Sequence, residues 1–252
     1  MLVEFNIEEL NSMKKYPKNI YYKGNLELLK SQKVSIIGTR RPSSYAKQLT
    51  AKISSALASR GVCVVSGAAM GVDSIAHQHA GANNTIAVMA NGLDIKYPSV
   101  NRFIIEAIEK DGLTLSQFED GFKATPWSFV VRNEVVVSLG DVLVVTQADL
   151  KSGSMRSVEF ALKMKKKIYV LPHRLGESEG TNYLLKNSLA SAIYDVDEFV
   201  DQFGKTAEEN LDEFLVFCKT NPSYDEAIQK YGEKVFEYEL EGKIKVINGN
   251  IC

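Results

Sequence analysis

The chain has 252 residues, of which 45% are apolar and 24% are charged, and its formal net charge is −1. This composition is typical of globular proteins and excludes a disordered, collagen-like or coiled-coil chain. The sequence shows no secretory signal pattern and no run of about 18 apolar residues, and its three cysteines are widely spaced. It therefore predicts a cytoplasmic protein without a membrane span, a disulfide framework or a metal site.

The charge is distributed unevenly along the chain. Residues 1–194 contain 24 Lys/Arg and 17 Asp/Glu, a net +7, whereas residues 195–252 contain 6 and 14, a net −8. Such an asymmetry indicates two units with different partners. A basic body is compatible with a polyanion such as nucleic acid, although two solvated surfaces explain the charges equally well.

The main body predicts an α/β fold. Residues 1–30 contain turn signals at Pro17 and Gly24 but no sustained period, so they predict a lead segment that forms a strap or cap. The predicted strands cover 33–39, 62–67, 85–90, 113–117, 141–147, 167–172 and 192–196. The predicted helices cover 43–60, 72–80, 100–110, 129–139, 155–165, 181–187 and 197–203. This alternation predicts an extended Rossmann-like parallel sheet with helices on both faces, over residues 31–204.

The remainder of the chain has a different pattern. Residues 205–210 are polar and charged, which predicts a linker. Residues 211–252 contain a predicted helix over 211–219, two further helical periods, and an Asn248-Gly249 pair that favours a type I′ hairpin. Three short helices and a hairpin predict a small winged-helix-like domain.

Three loops follow predicted strands and have the composition of anion-binding turns. Open parallel sheets bind ligands beyond the carboxyl ends of their strands, where glycine, hydroxyl groups and helix N-termini suit phosphate. The candidate residues are Gly38, Thr39, Arg40 and Arg41 in the first loop, Ser66 and Gly67 in the second, and Lys151, Ser152, Gly153 and Ser154 in the third. Each loop alone is also an ordinary strand-to-helix turn. None has the G-x-G-x-x-G pattern, so no dinucleotide cofactor is predicted.

A fourth candidate lies on the predicted helix 129–139. An Arg132-Asn133 pair on a helix that packs on the sheet is costly unless bonded, so it either braces loops or meets a ligand. Phe129 and Trp127 are candidates to stack on a base, although each is more often a core residue. Asp73 either caps its helix or contacts the ligand.

These segments, in this order, resemble the bacterial DNA-processing protein A (DprA, also called Smf) family. The matching stretches are KVSIIGTRRP, VVSGAAMGVDSIAH, TIAVMANGLDIKYPSVN, FVVRNEVVVSL and DVLVVTQADLKSGS, and the resemblance covers about residues 16–195. It implies a single-stranded DNA-binding recombination mediator, not an enzyme, that protects incoming transforming DNA and helps to load RecA in natural transformation. It also implies a homodimer. The motif residues that the resemblance carries over are Gly38, Thr39, Arg40, Ser66, Gly67, Gly71, Asp73, Arg132, Asn133, Ser152, Gly153 and Ser154. Arg41, Lys151 and Phe129 are predicted nucleic-acid-binding residues from their positions and chemistry alone.

The sequence departs from the family pattern at three positions. Val130 replaces a common Pro, Glu134 replaces a common Arg, and Gln117 stands where Glu is usual. The missing Arg at position 134 predicts a less basic wall of the cleft. The acidic C-terminal unit is predicted to bind a partner or modulate a dimer, not to read DNA.

An enzyme is the alternative from another class. The cleft also resembles nucleotide phosphoribohydrolases of the lysine-decarboxylase-like family, whose catalytic carboxylate falls near Glu159. The Gly-Thr of their loop is missing here, and Asn133 replaces their usual Lys. The sequence therefore favours a binding protein without catalytic residues.

Overall fold

The computed structural model describes residues 1–204, 213–218, 220–247 and 249–251. The chain forms two compact units, residues 1–204 and 205–252. The predicted linker 205–210 and the predicted helix start at Leu211 lie outside the described residues. None of the helices in the described ranges is long and apolar enough to cross a membrane.

The first unit is built on an eight-stranded sheet with the order β1-β5-β4-β3-β2-β6-β7-β8. Its strands are β1 Tyr21–Gly24, β2 Lys33–Ile37, β3 Cys63–Ser66, β4 Thr85–Met89, β5 Leu113–Ser116, β6 Val142–Val145, β7 Lys167–Val170 and β8 Ser191–Ala192. The pairs from β5 across to β8 are parallel. Every residue of β2 to β6 is buried, as expected for strands that are covered on both faces.

Helices cover both faces of this sheet, which confirms the predicted Rossmann-like class. The helices are α1 Ser44–Ser59, α2 Val72–Ala80, α3 Arg102–Asp111, α4 Pro126–Leu139, α5 Gly153–Lys163, α6 Glu179–Lys186 and α7 Val196–Val200. One apolar core joins α4 and α5 to one face, and a second joins α1, α2 and α7 to the other. Val64 and Val65 belong to different cores because successive strand residues point to opposite faces.

The lead segment, predicted as a strap or cap, also contributes a strand to the sheet. Tyr21–Gly24 forms β1, which pairs antiparallel with β5, so the sheet is mixed at this edge. The segment also contains two short 3-10 helices, Glu8–Ser12 and Leu26–Lys30. Ile7 and Leu10 are buried in the same core as α4. No alternating pattern marks this strand, because β1 is an edge strand of four residues that are not buried.

The helix α4 begins three residues before the predicted start at Phe129. Pro126 occupies its first turn, where a missing N–H costs nothing. Thr125 caps it, because its hydroxyl accepts the Ser128 N–H while the Ser128 hydroxyl accepts the Thr125 N–H. At α1, Ser43 is the cap, one of the two predicted candidates.

The described residues of the second unit form three short helices and a two-stranded antiparallel sheet. The helices are α8 Glu213–Cys218, α9 Tyr224–Tyr231 and α10 Lys234–Leu240, and the strands are β9 Val246–Ile247 and β10 Asn250–Ile251. Phe214, Ala227, Val235 and Ile251 are buried in its core. The residues follow the predicted order of helices and hairpin, but Asn248 lies outside the described residues. The winged-helix assignment stays a prediction.

Candidate nucleic-acid interface

A cleft lies at the point where the strand order of the sheet reverses. From β2 the chain continues through β3, β4 and β5 on one side and through β6, β7 and β8 on the other. Beyond β2 and β6 lies a cavity of about 780 Å³, lined chiefly by residues within 37–40, 124–133 and 152–157. We call it the switch-point cleft. Its position is the ligand site of open α/β sheets.

The backbone at the floor of the cleft is closely packed. The Thr39 N–H donates to the Gln147 carbonyl at 2.8 Å, and the Val72 N–H donates to the Thr39 carbonyl at 3.2 Å. Gly71 has a φ of 82°, and a Cβ there would lie 2.6 Å from the Arg40 carbonyl oxygen. Glycine at this position therefore allows the loop after β3 to approach the loop after β2.

Arg132 braces this floor from α4. Its side chain is only 4% exposed, and its Nη1 donates to the carbonyls of Gly67 and Val88, the latter at 2.8 Å. Its Nε donates to Asn133 Oδ1 at 3.1 Å. A Cβ on Gly67 would collide with the guanidinium, so glycine is required there. Of the two predicted roles, Arg132 has the bracing role, and it also lines the cleft beside Asn133.

Two buried titratable groups lie close to Arg132. Burial raises the pKa of Asp73, an effect that the charge of Arg132 opposes. Burial, together with the charge of Arg132, lowers the pKa of His77 to about 3. His77 Nε2 accepts the Ala68 N–H at 3.3 Å, and Nδ1 contacts Thr85 Oγ1 at 2.6 Å. The imidazole is thus neutral and holds the start of the loop after β3.

Asp73 does not cap α2. The N-cap of that helix is Gly71, which has no side chain, and the Asp73 carboxylate accepts the Ala69 N–H at 3.4 Å. The capping role predicted as one alternative is therefore wrong. The carboxylate instead fixes the loop that precedes the helix, and Asp73 also lines the cleft.

Phe129 lies near two guanidinium groups at the wall of the cleft. The Arg40 Cζ lies 5.6 Å from its ring centroid and the Arg132 Cζ lies 5.8 Å from it, both within cation–π range. The Tyr97 ring lies 6.0 Å away. Trp127, the other candidate, packs edge-on against Phe118 at 5.8 Å and is 62% exposed. Arg40, Phe129 and Tyr97 form an aromatic and cationic surface.

The third loop meets the cleft at the N-terminus of α5. Ser152 is the N-cap, and its hydroxyl has no hydrogen-bond partner among the described residues. Ser152, Gly153 and Ser154 line the cleft, whereas Lys151 lines an adjoining cavity of about 470 Å³. The N–H groups at this helix start suit an anion.

The remaining predicted residues lie at the margin or in the sheet. Arg41 is exposed beside the cleft, and its N–H donates to Thr39 Oγ1 at 3.3 Å. Ser66 is fully buried, and its hydroxyl donates to the Ile36 carbonyl at 2.6 Å. Ser66 can therefore act on a ligand only through the loop that follows it.

Tyr97 and Arg156 are among the cleft residues that no sequence pattern predicted. Tyr97 is 48% exposed, and Arg156 lies one turn after Gly153 on α5. The helical spacing from Gly153 was the available signal for Arg156. No local pattern marks Tyr97, because it follows β4 by eight residues and reaches Phe129 only in the folded chain.

Two of the unusual positions on α4 differ in where they point. Val130 is 41% exposed and lines the cleft. Glu134 is turned to the lead segment, where its Oε1 accepts the Lys14 N–H at 3.1 Å. Glu134 does not line the cleft, so the predicted loss of basic character on that wall does not come from its carboxylate.

The geometry does not favour the enzyme alternative. Glu159 is 52% exposed and pairs with Arg156 at 3.2 Å, one turn along the surface of α5. It lines the cavity that adjoins the cleft and is not among the residues that line the cleft itself.

Comparisons with known proteins agree with this architecture. The profile of the family described as DNA recombination-mediator protein A matches residues 6–204. The Smf protein of Synechocystis is 36% identical over 179 residues, which are 68% of this chain and 45% of that protein. The DprA protein of Streptococcus pneumoniae is 33% identical over 71% of this chain and 64% of that protein. The chain thus spans about half to two thirds of these relatives.

Two solved structures are similar to the first unit. DNA processing protein A from Helicobacter pylori, whose structure was described for its single-stranded DNA binding mode, is 42% identical. It superposes with a TM-score of 0.79 over 80% of this chain and 94% of that chain. The Streptococcus pneumoniae protein is 30% identical, with a TM-score of 0.72 over 77% and 70% of the two chains.

Proposed function

This chain belongs to the DNA recombination-mediator protein A family, and we propose that it binds single-stranded DNA in the switch-point cleft. One observation carries the proposal. The Phe129 ring lies within cation–π range of the guanidiniums of Arg40 and Arg132 at the rim of a large cleft, so an aromatic ring and positive charge occur together. Single-strand binders combine these two features, because bases stack on aromatic rings while cations follow the backbone.

The exposed residues of the cleft are proposed to contact DNA, and the more buried ones support them. Arg40 is exposed and free to approach a phosphate, and arginine suits bidentate contact with phosphate oxygens. The helix start at 152–154 offers N–H groups to a second phosphate. Phe129 offers its ring to an unstacked base. Arg132 and Asn133 fix this arrangement from below. A duplex buries its bases, so the proposal predicts preference for single strands.

We extend the proposal to the role implied by the family. The chain acts as a recombination mediator in the cytoplasm, protects incoming transforming DNA and helps to load RecA on it. It acts as a homodimer, since two clefts on one strand bind with an avidity that one modest site lacks. This role requires binding and release and no covalent step.

Fluorescence anisotropy with labelled single- and double-stranded oligonucleotides of equal length tests the proposal. We expect tighter binding of the single strand, with affinity that falls as salt rises. Phe129→Leu should weaken single-strand binding by about tenfold or more, whereas Phe129→Trp should retain it because a π-face remains. Equal affinity for both forms of DNA, or full binding by Phe129→Leu, would refute the cleft as the site.

A further inference from the structure

The cavity that adjoins the switch-point cleft lies at the start of α5. Its volume is about 470 Å³, and residues within 150–159 line it. Ser152, Gly153 and Arg156 line both this cavity and the cleft, so the two spaces meet at the first turn of the helix. We call the adjoining space the α5 cavity. A strand that leaves the cleft past this turn enters the α5 cavity.

The α5 cavity has an accessible apolar surface formed by Leu150 and Met155. Leu150 is 45% exposed and lines the cavity. Met155 is half-buried and packs against the core that joins α4 and α5 to the sheet, so the fold holds it in place. A thioether makes favourable contacts with aromatic rings and adapts to rings of different shape. These two side chains therefore offer a surface on which a base can pack.

The same lining carries two cations. Lys151 is exposed, and the Arg156 side chain is 63% exposed. Lys151 and Arg156 against the carboxylate of Glu159 give the lining a net charge of +1. Glu159 pairs with Arg156 at 3.2 Å, whereas Lys151 has no ion pair among the described residues. The Lys151 ammonium is therefore available to a phosphate.

Building on the proposed function, we propose that the α5 cavity is a second nucleotide subsite for the same single strand. The base packs on Leu150 and Met155, and its phosphate contacts Lys151. The cleft and the α5 cavity then hold consecutive parts of one strand, with the first turn of α5 between them. Single-strand binders join a stacking surface to a cationic groove in this way. Packing on an alkyl chain and a thioether reads no base edge, so the subsite accepts every base.

A series of oligo(dT) strands, lengthened one nucleotide at a time, tests the subsite with the full chain and fluorescence anisotropy. Strands that fill only the cleft should bind the wild-type chain and Leu150→Ser equally. Strands long enough to reach the α5 cavity should bind Leu150→Ser about fivefold more weakly, because the base loses apolar contact. Leu162→Ser is the matched control. Leu162 is 40% exposed at the far end of α5, so this variant should bind every length as the wild-type chain does.

Lys151→Ala gives an independent measurement. For the longer strands, it should flatten the slope of log affinity against log salt by about 0.7, the effect of one lost phosphate contact, and it should leave the slope for the shortest strands unchanged. A loss in Leu150→Ser that is equal at every length, or absent at every length, overturns the second subsite while the proposed function stands. So does an unchanged slope for long strands in Lys151→Ala. A wild-type chain that binds no single strand of any length overturns both proposals.

Discussion

Two arginines of the cleft illustrate how burial separates roles at the scale of residues. Arg132 is buried, and burial lowers its pKa, an effect that the charge of Asp73 opposes. A buried guanidinium is tolerated only with bonded partners, and here two carbonyls and Asn133 supply them. Arg40 is exposed and contacts Phe129. Arg132 therefore stabilises the backbone of the cleft, whereas Arg40 is available to contact a ligand.

Arg40→Ala should weaken single-strand binding for every sequence and flatten the salt dependence. One lost phosphate contact changes the slope of log affinity against log salt by about 0.7. The melting temperature should barely change, because the side chain is exposed. Arg40→Lys should restore part of the affinity. Lys110→Ala, at the exposed end of α3, is the control for charge alone. An unchanged slope with a lower melting temperature would assign Arg40 a structural role.

His77 should make the protein less stable in mild acid. Its pKa lies at about 3 in the folded protein and at 6.5 in a free side chain. As the pH falls from 6.5 to about 3, His77 binds a proton in the unfolded chain but not in the folded chain. The free energy of unfolding therefore decreases, by up to about 1.4 kcal/mol per pH unit. Asp73, whose pKa is raised, contributes in the opposite direction.

Urea unfolding between neutral and mildly acid pH isolates the contribution of His77. His77→Asn removes the titrating group, so its stability should depend less steeply on pH than that of the wild-type chain. The same substitution at His79, an exposed histidine on the same helix, is the matched control. If wild-type and His77→Asn show the same pH slope, the imidazole is not held neutral by the fold.

At the scale of elements, α4 connects the lead segment to the cleft. On one side it presents Phe129 and Arg132 to the cleft. On the other, Ser138 Oγ lies 2.8 Å from Ser12 Oγ, and Glu134 accepts the Lys14 N–H. The lead segment thus supports the helix that carries the ligand-facing groups. This contact gives the N-terminal residues a function that their irregular sequence does not suggest.

Glu134→Ala should lower the free energy of unfolding by about 1 kcal/mol, because the Lys14 N–H loses its acceptor. Glu134→Gln keeps an oxygen at that position and should retain most of the stability. It should also leave the salt slope of DNA binding unchanged, although it removes a negative charge. Urea unfolding and salt titrations on both variants provide these values. A steeper slope in Glu134→Gln would show that the carboxylate does face the DNA.

At the scale of the whole molecule, the charge asymmetry depends on where the chain divides. Counted over the two compact units, residues 1–204 hold 24 Lys/Arg and 21 Asp/Glu, and residues 205–252 hold 6 and 10. The net charges are +3 and −4, smaller than the +7 and −8 obtained by division at residue 194. Asp195, Asp197, Glu198 and Asp201 belong to the first unit. The sign of the asymmetry remains, but its size was overestimated.

A chain truncated after residue 204 should keep single-strand binding. The cleft lies within the first unit, and the removed part carries a net −4, so affinity should stay equal or rise slightly. Circular dichroism and thermal unfolding establish that the truncated chain is folded, and anisotropy gives its affinity. A folded truncation that has lost most of its DNA binding would place an essential contact in the second unit.

Light scattering of the full chain and of the truncation tests the proposed homodimer. We predict that the interface lies in the first unit, so both should have the mass of a dimer at micromolar concentration. A monomeric full chain would contradict the proposed avidity. A dimeric full chain with a monomeric truncation would move the interface to the second unit.

The sequence by itself determined the class of the fold and the loops that form the cleft. Apolar strands such as 141–147 alternate with amphipathic helices, and that period is a local property of the chain. Tertiary structure alone decided what the individual residues do. Arg132 and Glu134 stand two positions apart on one helix, yet one enters the cleft and the other binds the lead segment. Burial and the approach of Tyr97 to Phe129 depend on segments that are distant in sequence. Local pattern cannot report them, because each is fixed by which segments the folded sheet brings together.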